Sequence, residues 1–241
     1  MKTLVIRALS ALSNPDLDTP ILPDYDPSLL AVFSGDSLSG LTTAALWESS
    51  KGSLGDSANL DILTGTPFSV GTANGRNYLD FNGSASSSYL DSGDIGSVSI
   101  PSVSALMAVN FKSGANVNPG NILSLIGLAD SQYFYARRLT DGTITVGVNA
   151  LQQLTSLAVA PIDTWVFVAV VCDGSGSLIV IDDSAISGAT GIATVNKIRV
   201  GANLGGAIYA NMRLAHAEIY SRALSISDLQ ERRSEIMKNL Q

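Results

Sequence analysis

Three side chains near the end of the chain have the types and the spacing that acid–base chemistry needs. His216, Glu218 and Tyr220 alternate along the sequence, and alternate residues of a β-strand point to the same face of a sheet. An imidazole, a carboxylate and a phenol are groups that general acid–base catalysis uses. The competing interpretation is a histidine that packs near the end of a sheet and is hydrogen-bonded to Glu218. We expect this structural role, because no second catalytic motif accompanies the histidine.

A second set of side chains has the chemistry of sugar binding. Tyr133, Tyr135 and Arg137 lie in the segment QYFYARR, and on a strand they share one face, where rings can stack on sugars and a guanidinium can donate hydrogen bonds. Alternatively, the two tyrosines pack against a neighbouring strand or a partner chain. Only 6% of the residues are aromatic, so a lectin rich in stacking platforms is not indicated. These three residues are the candidate carbohydrate-binding residues.

Metal and thiol chemistry find little support in the sequence. Zinc sites use three or four nitrogen or sulfur ligands, whereas the chain contains one histidine and one cysteine, Cys172. No dense D-x-D-x-D-G loop of the kind that binds calcium is present. We therefore expect no metal and no cofactor. Cys172 lies inside VFVAVVCD, which predicts a small buried hydrophobic residue.

The composition is typical of a folded protein with one substantial core. Hydrophobic residues make up 46% of the 241 residues and charged residues only 15%, which is far from the composition of disordered chains. The net charge of −7 and the scarcity of clustered Lys and Arg argue against a nucleic-acid partner. No apolar run is long enough to span a bilayer, so we expect no membrane partner.

Short apolar runs separated by Gly, Asn, Asp and Ser predict a sandwich or barrel of β-strands over residues 29–220. The segments TITVGV and KIRV alternate between polar and apolar residues. In the first of them this alternation places Ile144, Val146 and Val148 on one face of the strand.

The segment DTWVFVAVVCDGSGSLIVIDDS, residues 163–184, predicts a hairpin in the middle of a sheet. Val166–Cys172 and Leu178–Ile181 are apolar without alternation, as expected of strands that are covered on both faces. Gly and Ser between them predict a turn. The four aspartates of the segment stand at the ends of the strands, so we expect them to occupy turns and not to act on a substrate.

A short amphipathic helix is predicted from about Ile226 to Asn239. Ser225 and Asp228 match the pattern in which a serine accepts a backbone N–H and an acidic residue reaches back. One face of the helix carries Ile226, Leu229, Ile236 and Leu240. The charged face is predicted to be solvated surface and carries Glu231, Arg232 and Glu235.

Residues 1–28 are predicted to form an extended N-terminal arm, and residues 29–241 the β domain. Residues 8–28 contain four of the eight prolines, which disfavour helix and leave an extended segment. The first residues imitate a secretory signal, but Arg7 splits the apolar run and favours a retained strand. Such an arm can reach a neighbouring chain, so we expect a homo-oligomer or contact with other proteins of an assembly.

Four blocks of sequence carry a family resemblance. They are WESSKG at 47–52, RNYLDFNG at 76–83, DTWVFVA at 163–169 with two aspartates at 182–183, and AEIYSRALS at 217–225. In this order and spacing they resemble the concanavalin A-like lectin/glucanase superfamily, in particular its laminin G-like members. The resemblance implies a jelly-roll sandwich of two antiparallel sheets. This fold is shared by lectins, adhesion modules, polysaccharide hydrolases and lyases, and architectural proteins, so it does not fix the function.

The family's catalytic and metal sites do not carry over to this chain. Glucanases of the superfamily have carboxylates in a pattern resembling E-x-D-x-E, because retaining hydrolysis needs two of them about 5 Å apart. Here Glu48 and Glu218 are the only glutamates outside the predicted helix. Many members hold a structural calcium, but Glu48 stands where the family often has aspartate. Lyases of this fold use His and Tyr, which keeps His216 and Tyr220 as an alternative.

The sequence therefore favours a jelly-roll domain that is not an enzyme. The absence of a signal peptide and of a disulfide, the low charge, the Gly/Ser/Ala-rich strands and the proline-rich arm favour a component of a bacteriophage or prophage virion. We expect a tail, fibre or capsid-surface protein whose lectin-like domain contacts host surface glycans. The alternatives are a secreted or periplasmic carbohydrate-binding module and a polysaccharide lyase or hydrolase that uses His216, Glu218 and Tyr220.

Overall fold

The computed structural model describes residues 26–64, 66–83, 89–96, 98–99, 102–113, 120–127, 133–148, 152–191, 194–203 and 209–240. The predicted N-terminal strand and the predicted arm before Asp26 lie outside the described residues. The last residues assigned to the arm contact the domain. Arg222 Nη2 donates to Asp26 Oδ2 at 2.8 Å, and the Ser221 backbone N–H donates to the Ser28 carbonyl at 2.7 Å. The domain therefore holds the chain from Asp26 onward.

The described residues form mostly β-strands, together with one α-helix. The strands are β1 (Leu29–Ser34), β2 (Thr43–Ala44), β3 (Leu46–Trp47), β4 (Ser49–Lys51), β5 (Leu60–Thr64), β6 (Phe68–Ala73), β7 (Arg76–Asn82), β8 (Tyr89–Asp91), β9 (Val98–Ser99), β10 (Val103–Phe111), β11 (Gly120–Ile126), β12 (Tyr133–Arg138), β13 (Thr143–Val148), β14 (Gln152–Val159), β15 (Trp165–Cys172), β16 (Ser177–Ile181), β17 (Ser184–Gly188), β18 (Thr194–Val195), β19 (Lys197–Val200) and β20 (Asn211–Tyr220). The helix, α1, spans Ile226–Ile236.

Two antiparallel sheets face each other. The first sheet has the order β17-β16-β15-β10-β20-β7-β6-β2, with β1 beside β20 and β4 beside β1. The second sheet has the order β14-β13-β12-β11-β19-β8-β5-β3, and β9 pairs with β18. The structure confirms the predicted all-β jelly-roll sandwich with its short C-terminal helix.

Alternate side chains of both sheets fill the space between them. Ile144, Val146 and Val148 lie in this core, as their alternation predicts. Cys172 is also there, and its Sγ lies 2.8 Å from the carbonyl oxygen of Gly191, which confirms the predicted buried cysteine. Trp47 is fully buried, and its indole Nε1 donates to the Ser34 carbonyl at 3.1 Å. The polar atom of this large, fully buried side chain therefore has a hydrogen-bond partner inside the core.

The hairpin predicted from residues 163–184 is present, since β15 and β16 pair in register. Asp163 and Asp182 have φ angles of 53° and 49°, a left-handed conformation that aspartate tolerates at turns. Asp182 Oδ1 also accepts the Phe167 N–H at 3.0 Å. Asp182 and Asp183 both form ion pairs with Arg233 of α1. The aspartates are turn residues, as predicted, and two of them additionally bind the helix.

The long strand β20 lies near the middle of the first sheet and connects most of its parts. One edge of β20 pairs with β10, and the other pairs with β7 at its start and with β1 at its end. A β-bulge at Ala215 shifts the register, because Leu214 pairs with Val109 whereas His216 pairs with Ala108. The bulge keeps Leu214 and Ala217 in the core and turns His216 to the outer face.

The helix α1 covers part of the outer face of the first sheet. Its first turn has the predicted capping box, in which Ser225 Oγ accepts the Asp228 N–H and Asp228 Oδ2 accepts the Ser225 N–H. The helix ends at Ile236, three residues before the predicted end, and Asn239 has a φ of 68° that no helix continues. Ile226 is 45% exposed, so its predicted burial is wrong. At 3.6 residues per turn it lies about 60° from Leu229, at the margin of the apolar stripe.

A second apolar cluster lies between α1 and the sheet. It combines outward side chains of β10 and β15, among them Leu106 and Phe167, with Leu229 and Ile236 of the helix and with Leu240 after its end. Helical stability in proteins comes mainly from such packing. The contact therefore fixes α1 on this half of the outer face.

The capping box should make a measurable contribution to the free energy of unfolding. Ser225→Ala removes the acceptor for the Asp228 N–H, and we expect the free energy of unfolding to fall by about 1 kcal/mol in urea denaturation. Ser234→Ala on the same helix is the matched control, because its hydroxyl bonds only the Gln230 carbonyl. An equal loss in both variants would contradict the assignment of the cap.

Candidate functional site

The candidate sugar-binding residues lie on the outer face of the second sheet. They belong to β12, where Phe134 and Ala136 point into the core, so Tyr133, Tyr135 and Arg137 point outward. The structure therefore brings the three together on one face, as the alternation predicts. We call this set the tyrosine–arginine ladder.

The ladder is stacked along the strand. The ring centroids of Tyr133 and Tyr135 are 5.6 Å apart, and the Arg137 guanidinium carbon lies 4.9 Å from the Tyr135 centroid. Arg137 Nε donates to Asn121 Oδ1 at 2.6 Å, and Asn121 Nδ2 donates to Ser124 Oγ at 3.1 Å. Stacking and hydrogen bonds together hold the guanidinium in one orientation.

Exposure differs along the ladder. Tyr135 is only 1% exposed, and burial raises the pKa of its phenol. Tyr133 and Arg137 are half-buried. The middle ring therefore supports its two neighbours, and the parts of the ladder that face solvent belong to Tyr133 and Arg137.

A buried ion pair that the sequence did not reveal lies on the same face. Arg199 Nε and Nη2 donate to Asp91 Oδ2 at 2.9 and 2.6 Å, and the Arg199 guanidinium lies 4.4 Å from the Tyr89 centroid. The strand registers align Tyr135 with Ser124, Ser124 with Arg199, and Arg199 with Asp91. A polar row thus crosses four neighbouring strands. Alternation in KIRV places Arg199 outward, but no sequence signal identifies a partner 108 residues away.

The acid–base candidates lie on the outer face of the first sheet, at the end of β20. His216 Nε2 and Glu218 Oε1 are 2.9 Å apart, and the Tyr220 hydroxyl donates to Glu218 Oε2 at 2.8 Å. The predicted hydrogen bond between histidine and glutamate is therefore present. Glu218 is 1% exposed, so this carboxylate is removed from water.

A fourth residue, Arg232 of α1, completes this cluster. Arg232 Nε donates to Glu218 Oε2 at 3.0 Å, and its Nη2 donates to Glu218 Oε1. The prediction that Arg232 belongs to an ordinary solvated helix face is wrong, because the bulged strand presents a buried carboxylate to the helix. We call His216, Glu218, Tyr220 and Arg232 the glutamate latch.

The contacts within the latch shift the pKa values of Glu218 and Tyr220 in opposite directions. Burial opposes ionisation of Glu218, but the hydrogen bonds and charges of His216 and Arg232 outweigh it and lower the pKa of Glu218 to about 2. Burial and the adjacent Glu218 charge raise the pKa of Tyr220. A carboxylate with both oxygens occupied by donors has little basicity left for a substrate proton. This geometry suits a structural contact between strand and helix.

Within the described segments, no group of three or more His, Cys, Asp or Glu side chains is arranged to hold a metal ion. The helix found there is too short to cross a membrane.

The sequence matches no family model and no curated protein. The structure, in contrast, is similar to several solved structures. Domain 4 of AbnA, a GH43 extracellular arabinanase from Geobacillus stearothermophilus, solved with arabinotriose, has a TM-score of 0.61 at 15% identity, covering 85% of this chain and 97% of that one.

Two further structures match only with part of their length. Trypanosoma rangeli sialidase in complex with sialic acid has a TM-score of 0.60 at 11% identity, covering 98% of this chain but 39% of that one. The binding domain of botulinum neurotoxin DC, in complex with rat synaptotagmin II, has a TM-score of 0.57 at 10% identity, covering 87% of this chain and 52% of that one. At such identities the likeness shows a shared β-sandwich fold.

The latch makes stability depend on pH in a defined window. The pKa of Glu218 is lower in the folded chain than its ordinary value of 4.5, so its contribution is complete above about pH 4.5 and disappears as the pH falls toward about 2. We expect Glu218→Gln to lower the free energy of unfolding by about 3 kcal/mol at pH 7 and by much less near pH 2.5.

The measurement is urea denaturation at both pH values. Glu235→Gln is the control, since the Glu235 side chain is 62% exposed, and it should change stability little at either pH. A Glu218→Gln difference that stays constant between pH 7 and pH 2.5 would show that Glu218 carries no lowered pKa.

Proposed function

We propose that this domain is a noncatalytic glycan-binding module. The observation that carries the proposal is the tyrosine–arginine ladder, whose solvent-facing ends, Tyr133 and Arg137, are held in place by the buried ring of Tyr135. Preorganised side chains lose little conformational entropy when a ligand binds. A rigid ring and a rigid guanidinium therefore suit a ligand that offers both C–H faces and hydroxyl groups.

The spacing of the ladder fits an oligosaccharide. Arg137 follows Tyr133 by four positions along the strand, which is about 13 Å at 3.3 Å per residue. In the proposed complex a sugar ring stacks on Tyr133, and hydroxyl groups further along the glycan accept hydrogen bonds from Arg137.

The similar structures support the same class of ligand. The arabinanase domain, which is matched over nearly its whole length, was solved with arabinotriose, and the sialidase was solved with sialic acid. The botulinum binding domain was solved with rat synaptotagmin II, so the fold also accommodates a protein partner. The ladder favours the glycan for this chain.

The glutamate latch supports a noncatalytic module. Glu218 is a fixed anion that His216, Tyr220 and Arg232 occupy, whereas a glycosidase needs one carboxyl with a raised pKa beside a second carboxylate. The alternative of a lyase or hydrolase requires that His216→Ala abolish an activity on polysaccharide.

We also propose that the module belongs to a virion, where residues 1–25 connect it to other copies or other proteins. The support is the anchored start of the domain, because Asp26 and Ser28 are tied to Arg222 and Ser221. The segment before Asp26 therefore leaves from a fixed point. A secreted carbohydrate-binding module is the alternative for the same glycan-binding site.

The ladder makes a prediction for glycan binding. On a glycan array and by calorimetry, we expect Tyr133→Ala and Arg137→Ala each to weaken binding about tenfold or more, because each removes a contact worth roughly 1–3 kcal/mol. Tyr135→Phe should bind like the wild type, since the ring remains and only its hydroxyl is lost.

Arg233→Ala is the matched control, because it removes an arginine of the same charge from α1 and leaves the second sheet intact. Unchanged glycan binding in both Tyr133→Ala and Arg137→Ala would exclude the ladder as the site. Failure of the wild type to bind any glycan on the array would reject the proposed function.

The arm makes a separate prediction for assembly. We expect light scattering to give an oligomeric mass for the full chain and a monomeric mass for a folded truncation that begins at Asp26. This truncation keeps the ion pair with Arg222, which a start at Leu29 would remove. An equal number of subunits in both proteins would exclude the arm from self-assembly, and two monomers would favour the secreted module.

A further inference from the structure

A groove lies on the outer face of the first sheet, beside the helix. The cavity has a volume of about 1080 Å³. Its walls come from α1 on one side and from β1 and β4 on the other, and its floor contains the outward residues of β20. It is far from the ladder in the fold, because the ladder belongs to the opposite outer face of the sandwich.

The groove combines an apolar base with polar groups. Leu29, Val32, Leu224 and Ile236 contribute apolar surface, and Ser37, Ser50 and the partly exposed Arg232 of the glutamate latch contribute hydrogen-bonding groups. Ligand sites typically have this composition, with apolar walls and a few fixed polar atoms. The C–H faces of sugar rings suit such a base, and sugar hydroxyls suit the fixed polar atoms.

The lining of the groove carries more negative than positive charge. Six carboxylates and four Lys or Arg side chains line it, which gives a net charge of −2. Arg222 pairs with Asp26 and Asp228, and Arg232 pairs with Glu218 and Glu235. An anionic glycan is therefore repelled, whereas a neutral glycan meets both donors and acceptors without this repulsion.

One polar atom at the floor of the groove has an unmet hydrogen bond. The His216 side chain is 8% exposed, and its Nε2 is taken by Glu218. Its Nδ1 is buried without a hydrogen-bond partner in the described part of the chain. A buried polar group without a partner is destabilising, and a water that bridges this nitrogen to a ligand hydroxyl would relieve that cost.

We infer that the groove beside α1 is a second glycan site, which takes a neutral oligosaccharide. The choice of a glycan as the ligand rests on the proposed function. The place of the site and the neutral charge of the ligand are inferred from the groove itself. The cavity is large for a single sugar, since typical ligand pockets have volumes of about 300–1,000 Å³. It therefore takes several rings, with hydroxyl groups over the latch and ring faces on Leu29 and Val32.

The test separates the two sites. In a Tyr133→Ala/Arg137→Ala background, which removes the ladder, calorimetry measures binding of neutral trisaccharides (arabinotriose, maltotriose, cellotriose and xylotriose) and of the anionic 3′-sialyllactose. We expect saturable binding of a neutral trisaccharide and none of the sialylated one. Adding Ser50→Trp, which fills the groove from exposed β4, should weaken this binding at least tenfold.

Ser187→Trp is the matched control, because Ser187 is also an exposed strand serine of the first sheet but does not line the groove. It should leave the binding of the neutral trisaccharide unchanged. A second pair on α1 repeats the comparison, with Glu231→Trp in the groove and Gln230→Trp outside it. Each variant is first checked by thermal unfolding to establish that it is folded.

Three results would overturn the inference. They are no saturable binding of any neutral trisaccharide in the ladder-free background, equal losses in the groove variants and their controls, and preferential binding of 3′-sialyllactose. In the first case, wild-type protein that still binds glycan preserves the proposed function and rejects only the second site. Wild-type protein that binds neither these sugars nor any glycan on the array rejects both.

Discussion

The buried carboxylate of Glu218 is the interaction on which the arrangement of strand and helix depends. It lies on β20, the strand that joins β10, β7 and β1 into one sheet, and it is the point where Arg232 ties α1 to that sheet. A buried charge is costly unless it is fully paired, and removal of one partner from such a pair is strongly destabilising. The latch therefore fixes the helix in position and direction, while the apolar cluster beneath it supplies most of the contact area.

The position of α1 divides the outer face of the first sheet into two halves. Beneath the helix the outward side chains of β10 and β15 are apolar, as in Leu106 and Phe167, and they are buried. Beyond the helix the outward side chains of β20 are polar and border the groove. On the outer face of the second sheet, in contrast, Arg199 and Asp91 form a buried ion pair with each other. The two outer faces of one sandwich thus offer two different surfaces.

Local sequence predicted much of the fold, because its signals act over a few residues. Alternation placed Ile144 in the core, the serine and aspartate of the capping box marked the start of α1, and aspartates marked the ends of the hairpin. These local signals indicate on which face of a strand or helix a side chain lies. They do not indicate which other segment packs on that face. Burial of Tyr135, the partner of Arg199 and the turn of Arg232 toward Glu218 all depend on contacts between distant segments, so they could not be predicted.

The pair of His216 and Glu218 illustrates how a contact from another element adds to the chemistry of a motif. A buried glutamate would have a raised pKa if burial acted alone, and it could then exchange protons with a substrate. The hydrogen bonds and charges of His216 and Arg232 together reverse this outcome and lower the pKa of Glu218 to about 2. The motif on β20 supplies the first of these partners, and the helix supplies the second. The same ionised carboxylate thereby joins the strand to the helix.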